Sequence, residues 1–316
     1  MAQTGSISTL GDHAGVAAPA IKGRSPAGEA WRRLRKKRLA MIGMSIIILI
    51  MSLGLLAPVL PIQSFSAQDL SAARQTPSLA HPLGTDDLGR DQLSRLIWGA
   101  QTAFIVATVP MILSMSLAVS FGLAAAWYGG WFDTILQRFS EYLMAFPGML
   151  LMIFLAATFK PVIVSWVREI GPYIGAPGLW RTGIVDYMAV LLILALLGWP
   201  GLARIVRGQA LSLRTREYVE AARAMGASDR RIIFVHMLPQ ILGLMVVIAS
   251  GAMAGAIAAE STISFLGIGI VPPYPSWGSM IADNYGKLRT PSWWLLFEPL
   301  LVVVILLYPL SISATD

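Results

Sequence analysis

Long uninterrupted apolar runs constrain this chain more than any other feature of its sequence. Residues 39–60 and 96–127 contain no charged side chain. A helix of about 20 apolar residues crosses the hydrocarbon core of a bilayer. Inside lipid only helices and closed barrels satisfy their own backbone hydrogen bonds, so runs of this length predict membrane-spanning helices. Further runs predict helices over residues 131–159, 187–206, 240–263 and 292–310. Pro110 lies inside the second, where neighbouring helices can compensate for its missing N–H. Asp133, Arg138 and Glu141 open the third, which predicts that its first part lies at an aqueous surface. The expected fold class is an all-α membrane protein with six transmembrane helices. With 56% hydrophobic and 13% charged residues, the chain falls well below the roughly 25% charge of a soluble domain. Cysteine is absent, which excludes disulfides, thiolate metal sites and cysteine nucleophiles.

The charges set the expected topology. A basic stretch, Trp31-Arg32-Arg33-Leu34-Arg35-Lys36-Lys37-Arg38, precedes the first run. That run exceeds the apolar region of a signal peptide and no small-residue cleavage site follows, so it reads as an uncleaved first helix. Placing both termini inside puts sixteen of the 24 Lys and Arg residues in cytoplasmic segments and eight outside, as the positive-inside rule requires. The net charge of +7 therefore reads as topology and not as affinity for nucleic acid. The expected organisation is a disordered cytoplasmic tail over residues 1–28, then a basic segment with the first helix over 29–62. An external segment over 63–95 follows, then a five-helix core over 96–316 with a cytoplasmic loop at about 207–239. Residues 160–186, with Pro161, Pro172 and Pro177, are expected outside.

The loop has a pattern of its own. Tyr218, Ala221, Ala222 and Met225 fall at i, i+3, i+4 and i+7, which predicts one face of a short helix. Thr215 is positioned to cap its start, and Glu217 and Glu220 favour the positive N-terminal end. Gly226 suits the left-handed residue that ends a helix. Ser228 is positioned to cap a second helix beginning Asp229-Arg230-Arg231, and Pro239 to bend the entry to the fifth span. One reading is a passive solvated connector. The other is a surface for a partner, since an alanine-and-methionine face would otherwise stay exposed outside the bilayer.

These residues also carry a resemblance. Glu220-Ala221-Ala222, then Gly226, then Leu238-Pro239, is similar to the E-A-A…G…L-P signature of ABC importer permeases. Other stretches resemble the dipeptide/oligopeptide/nickel branch of that family. They include His81-Pro82-Leu83-Gly84-Thr85-Asp86-Asp87-Leu88-Gly89-Arg90-Asp91, Tyr128-Gly129-Gly130-Trp131-Phe132-Asp133, Ala145-Phe146-Pro147, Val206-Arg207-Gly208-Gln209 and Ser264-Phe265-Leu266-Gly267. The resemblance runs from about Trp31 to Leu300. It implies the type I ABC importer permease fold and a non-catalytic permease subunit in the bacterial cytoplasmic (inner) membrane, importing peptides. It implies four kinds of partner: a second homologous permease, two ATP-binding subunits, an external substrate-binding protein and the lipid bilayer. ATP and Mg would sit on the ATPase partners, with no cofactor or metal on this chain. The loop would be the coupling helix that docks on an ATPase subunit, with Tyr218, Glu220, Ala221, Ala222, Met225, Gly226, Leu238 and Pro239 as the coupling residues. The chain departs from the family at His236, where the pattern has an aliphatic residue, and over residues 160–181, which are longer than usual. It also ends Tyr308-Pro309-Leu310-Ser311-Ile312-Ser313-Ala314-Thr315-Asp316, where the family closes with a Gly-Asp…Arg-Asp segment.

The remaining candidates have plainer alternatives. No G-x-x-x-x-G-K-[ST] phosphate loop occurs, so ATP hydrolysis would fall to another chain. Gly251 and Gly255 form a G-x-x-x-G stretch that suits close helix packing, at a subunit interface or within the chain. Glu260 either lines a pathway, pairs across that interface, or sits at the aqueous end of its helix. His236 and Glu260 would lie over about 30 Å apart along a helix, which rules out a hydrolytic triad. Asp86, Asp87, Arg90 and Asp91 either meet a binding protein or form a self-capped turn. The fifteen Met residues read as lipid-facing and core filler. Two further solute classes fit the same architecture: nickel chelates or another small solute. An ion-driven secondary transporter is a rival class, but it would want ionisable groups at mid-membrane, which are scarce. A membrane receptor or scaffold is another.

Overall fold

In the computed structural model, which describes residues 38–176 and 178–313, five helices are long and apolar enough to cross a membrane. A sixth, shorter apolar helix follows them. Helix α1 is Arg38–Leu56, continued by a 3-10 turn at Ala57–Val59. Then come α2, Gln92–Tyr128; α3, Gly130–Ala145; α4, Gly148–Ile170; and α5, Ile184–Arg214. The short α6 is Glu217–Ala224. Next, α7, Asp229–Arg231, passes through a π-helical segment, Ile232–Met237, into α8, Leu238–Phe265. These three make one span, Asp229–Phe265. The last two helices are α9, Trp277–Asn284, and α10, Trp294–Ser313. No strand occurs among the described residues. The expected tail over residues 1–28 and the basic stretch to Lys37 lie outside them. The chain divides after Met41, and all packing described below belongs to the unit that begins at Ile42.

Several boundaries differ from the sequence expectation, each for a local reason. The third run is two helices, broken at Phe146, which is extended at φ −85° and ψ 143°. The residue before a proline is pushed out of the α region, and Pro147 has no N–H to continue the ladder. Helix α4 then runs straight through Pro161 to Ile170, so the expected external segment begins later than residue 160. Helix α5 outlasts its apolar run and carries polar residues as far as Arg214. The fifth span starts at Asp229 and not after Pro239. Pro239 lies at the start of α8, directly after the π-helical turn. A proline ring collides with the carbonyl four residues back, and a local π register is one way for a helix to absorb that collision.

Helices α2 and α5 pack on each other along most of their length. The crossing is tight at Gly122, where a Cβ would lie 2.7 Å from the Ala203 carbonyl oxygen and 2.8 Å from Val206 Cβ. Around the C-terminal end of α2, one core cluster gathers Trp127, Leu136, Val206, Val219, Ile232 and Met237. A second cluster joins α2, α4, α5 and α8 through Val106, Met152, Val190 and Ile263. A third joins α2, α8, α9 and α10 through Ala100, Ile257, Trp277 and Leu306. The outer faces are also apolar, with Leu49, Ile112, Phe154, Leu192 and Val246 exposed. That pattern suits a lipid solvent, which is as apolar as the side chains it meets.

The segment between α8 and α9 folds back onto the bundle through polar contacts. The Trp277 indole N–H donates to the Leu96 carbonyl at 3.1 Å, and the Thr102 hydroxyl donates to the Pro275 carbonyl at 2.7 Å. Lys160 Nζ donates to the Gly269 carbonyl at 2.8 Å and pairs with Asp186 at 3.1 Å.

Candidate functional site

Helix α6 is the short helix expected from the loop sequence, and its ends explain its length. Arg216 is extended at φ −81° and ψ 143° and starts the helix without a side-chain cap. Thr215 does not cap it; its hydroxyl donates back to the Ser212 carbonyl at 3.3 Å. Glu217 and Glu220 occupy the first turn, where carboxylates meet the positive end of the helix dipole. The other end is a full Schellman stop. The Gly226 N–H donates to the Arg223 carbonyl at 2.9 Å, and the Ala227 N–H to the Ala222 carbonyl at 3.0 Å. Gly226 sits at φ 80°, a left-handed conformation that glycine adopts without a Cβ penalty. Ser228 occupies the cap position of α7 in extended form, but no side-chain bond follows.

The two faces of α6 are sharply unequal. Val219 is 0% exposed and Ala222 3%, both within the cluster around Trp127. Tyr218 is 42% exposed and Met225 82%. Ala221 and Glu220 are exposed as well. The four-residue stripe read from the sequence is therefore split: Tyr218, Ala221 and Met225 face out, while Ala222 faces the chain's own core. Val219, which that reading passed over, is the inward anchor. Leu238 is partly buried against the same cluster, and Pro239 is exposed. Nearby, Arg207 forks onto Asp133, with Nε–Oδ1 at 2.5 Å and Nη2–Oδ2 at 2.6 Å. That bidentate pair ties α5 to α3.

The other candidates lie far from α6. Glu260 is about 36 Å along the Asp229–Phe265 span from His236 in the π-helical turn. Glu260 lies in the last turns of α8 and is buried. It is 3% exposed and accepts a hydrogen bond from the Ser264 hydroxyl at 2.6 Å. Gly251 is half-buried. A Cβ on Gly255 would meet nothing within 4 Å, so this small residue packs against no other part of the described chain. Its neighbours Ala254 and Ile257 turn inward.

At the opposite end of α2, the acidic turn is largely satisfied by its own chain. Asp86 pairs with Arg90 and with Arg95, each at 2.7 Å. Asp91 caps α2 by accepting the Ser94 N–H at 2.8 Å, and its other oxygen lies 3.0 Å from His81 Nδ1. Asp87 alone of the four is well exposed. Burial presses its carboxyl upward, but Lys287 at 2.7 Å and Arg74 at 2.6 Å outweigh that and hold it below its ordinary value.

Residues 118–315 match the family described as binding-protein-dependent transport system inner membrane component. Residues 25–80 match the N-terminal transmembrane domain of oligopeptide transport permease C. The chain is 34% identical to the dipeptide transport system permease protein DppC of Bacillus subtilis over 284 residues, 90% of this chain and 81% of that one. It is 32% identical to the oligopeptide transport system permease protein OppC of Bacillus subtilis over 85% of this chain and 80% of the other. It is 32% identical to the OppC protein of Mycobacterium tuberculosis, with 87% of each chain covered.

Proposed function

Because the chain belongs to the binding-protein-dependent transport inner membrane components, with dipeptide and oligopeptide permeases among its relatives, we propose that it is the permease subunit of an ATP-driven peptide importer. It pairs with a second homologous permease in the inner membrane, with both termini in the cytoplasm. Two ATP-binding subunits carry ATP and Mg, and an external binding protein delivers the peptide. Gly255, with its open face, and Gly251 one turn away meet the second permease. Glu260 supports the segment after α8 from inside and does not line the pathway.

The observation that carries this reading is the division of α6. Val219 and Ala222 root it in the core, while Tyr218, Glu220, Ala221 and Met225 are presented outward. A helix rooted in this way moves with its own bundle when pushed. Closure of the ATPase subunits presses on that face, and short links pass the motion to α5 on one side and to the span holding Leu238 and Pro239 on the other. Gly226→Pro tests the reading, because proline is locked near φ −65° and Gly226 sits at 80°. Glu220→Ala tests it without backbone strain. Both variants are expected to insert normally and to lose peptide import. Import at the wild-type rate by either, with normal ATPase binding, would show that α6 does not couple the two machines.

A further inference from the structure

We propose that Trp127 is a positioning residue of the transport cycle, gripped by both Arg214 and Arg223, and that this clamp ties α6 to the end of α2. The proposal rests on α6 being the ATPase docking helix. The covalent chain joins α6 to α5 through Thr215 and Arg216, and to α7 through the residues around Gly226. Nothing covalent joins it to α2, the 37-residue helix at the centre of the packing. The link to α2 is made by side chains. The Arg223 guanidinium carbon lies 5.0 Å from the centroid of the Trp127 ring, and that of Arg214 lies 5.7 Å from the same ring. Arg214 also donates from Nη1 to the Ala126 carbonyl at 3.1 Å. Trp127 is 6% exposed, so the ring is held by the core on which the cations stack.

Three features favour a functional joint over incidental packing. The two arginines come from two different elements, the end of α5 and the last turn of α6, and meet on one residue of a third. They gather at the C-terminal end of α2, where the last carbonyls carry partial negative charge and attract cations. The chemistry also suits a moving contact. A cation over a ring face tolerates sliding within a few ångströms, whereas the Arg207–Asp133 fork nearby fixes one geometry. Motion of α6 thus reaches α2 directly as well as through α5. Helix α2 carries it to the opposite end of the bundle, where Asp91 caps it and Trp277 packs against its first turns.

The test uses the assembled transporter, with both permeases, both ATPase subunits and the binding protein, in lipid nanodiscs. The chain has no cysteine, so Ala224→Cys, on the exposed last residue of α6, supplies one thiol for cross-linking to an ATPase subunit. Trp127→Leu is expected to leave the cross-link yield unchanged but to lower peptide imported per ATP hydrolysed by about three- to tenfold, the factor of one partly desolvated cation–π contact. Trp127→Phe, which keeps a ring, is expected to restore most of that ratio. Arg223→Ala acts on an exposed side chain and is expected to reproduce the Leu result should Trp127→Leu misassemble, with Arg223→Lys intermediate. Wild-type import per ATP in both Trp127→Leu and Arg223→Ala, with the cross-link intact, overturns the clamp and leaves docking standing. No cross-link in the Ala224→Cys background overturns the docking reading itself, and the clamp with it.

Discussion

Asp86 is the hub of the polar turn at the start of α2, and its replacement has a calculable consequence. The residue is 3% exposed. Its Oδ1 accepts the backbone N–H groups of Leu88 and Arg90, each at 2.9 Å. Its Oδ2 accepts Arg90 Nε and Arg95 Nη1, both at 2.7 Å. The Arg95 side chain is 4% exposed, and its other carboxylate contact is Asp283 at 3.5 Å, which is 49% exposed. Removing one partner of a buried ion pair costs about 3–5 kcal/mol, because the remaining charge stays buried. Asp86→Asn keeps the shape but has one acceptor oxygen in place of two. That oxygen can serve the backbone N–H groups or the guanidinium groups, and the amide NH2 then faces donors on the other side. Asp86→Asn and Asp86→Ala are therefore both expected to lose about 3–5 kcal/mol, a fall in unfolding midpoint on the order of 10 °C for a chain of this size. Asp283→Ala, at an exposed and longer contact, is expected to lose less than about 1 kcal/mol. Thermal unfolding in nanodiscs followed by tryptophan fluorescence reads both. An Asp86→Asn midpoint within a few degrees of wild type, or an Asp283→Ala loss equal to it, would refute Asp86 as the hub.

Two other outcomes follow from the same packing. A Cβ on Gly99 would lie 2.7 Å from Cδ1 and Nε1 of Trp277, a ring that is 2% exposed and tied by its N–H to Leu96. Gly99→Ala is thus expected to destabilise by about 1–3 kcal/mol, despite alanine's helix preference of about 1 kcal/mol. Gly255→Ala, with open space around it, is expected to be neutral or better in the isolated chain, and equal midpoints for the two variants would disprove the contact. The lowered Asp87 carboxyl makes a pH experiment specific. A depressed folded value contributes stability in full above the unfolded value near about 3.9 and loses it as pH falls through the folded value. Wild type and Asp87→Asn are expected to differ by up to about 1 kcal/mol at neutral pH, less in high salt, and to converge in strong acid. A gap that persists there contradicts the assignment.

The sequence was most legible where lipid is the solvent. An apolar run needs no partner to be recognised, so the runs overlap each of the five helices long and apolar enough to cross a membrane, including the one that contains Pro110. The polar extensions were less legible. Residues 207–214 continue α5 because Arg207 reaches Asp133 and Arg214 reaches the end of α2, contacts that join distant parts of the chain. Periodicity found the stripe on α6 but not which edge meets the core. Ala222 lies about 40° around the helix from Tyr218 and about 60° from Val219, so it borders both faces and tertiary packing decides. Phe146-Pro147 carried a local signal that the length of the apolar run obscured. For Asp86, Arg90 and Asp91, docking and self-satisfaction demand the same residue types. Only the proximity of Arg95 and His81 separates them.

The arginines near α6 show how one residue meets two requirements. Arg207, Arg214 and Arg223 all count toward the positive charge expected to orient the chain, yet any position in the same loop would satisfy that count. Their actual positions do more: Arg207 fixes α3 to α5, and Arg214 and Arg223 meet on Trp127. Apolar packing between helices gains little over contact with lipid, so it specifies their relative placement only weakly. Polar joints at the helix ends supply that specification, where they remain near water and cost less to desolvate. The joints at opposite ends of α2 differ in kind. The Asp86 turn is a buried, ion-paired network that resists displacement, whereas the Trp127 clamp rests on faces that can slide. On the proposal that α6 is the docking helix, a central helix held firmly at one end and yieldingly at the other would pivot about the firm end. Such a pivot would let force applied on the α6 side reach the pathway without dismantling the opposite rim, as the proposed importer requires.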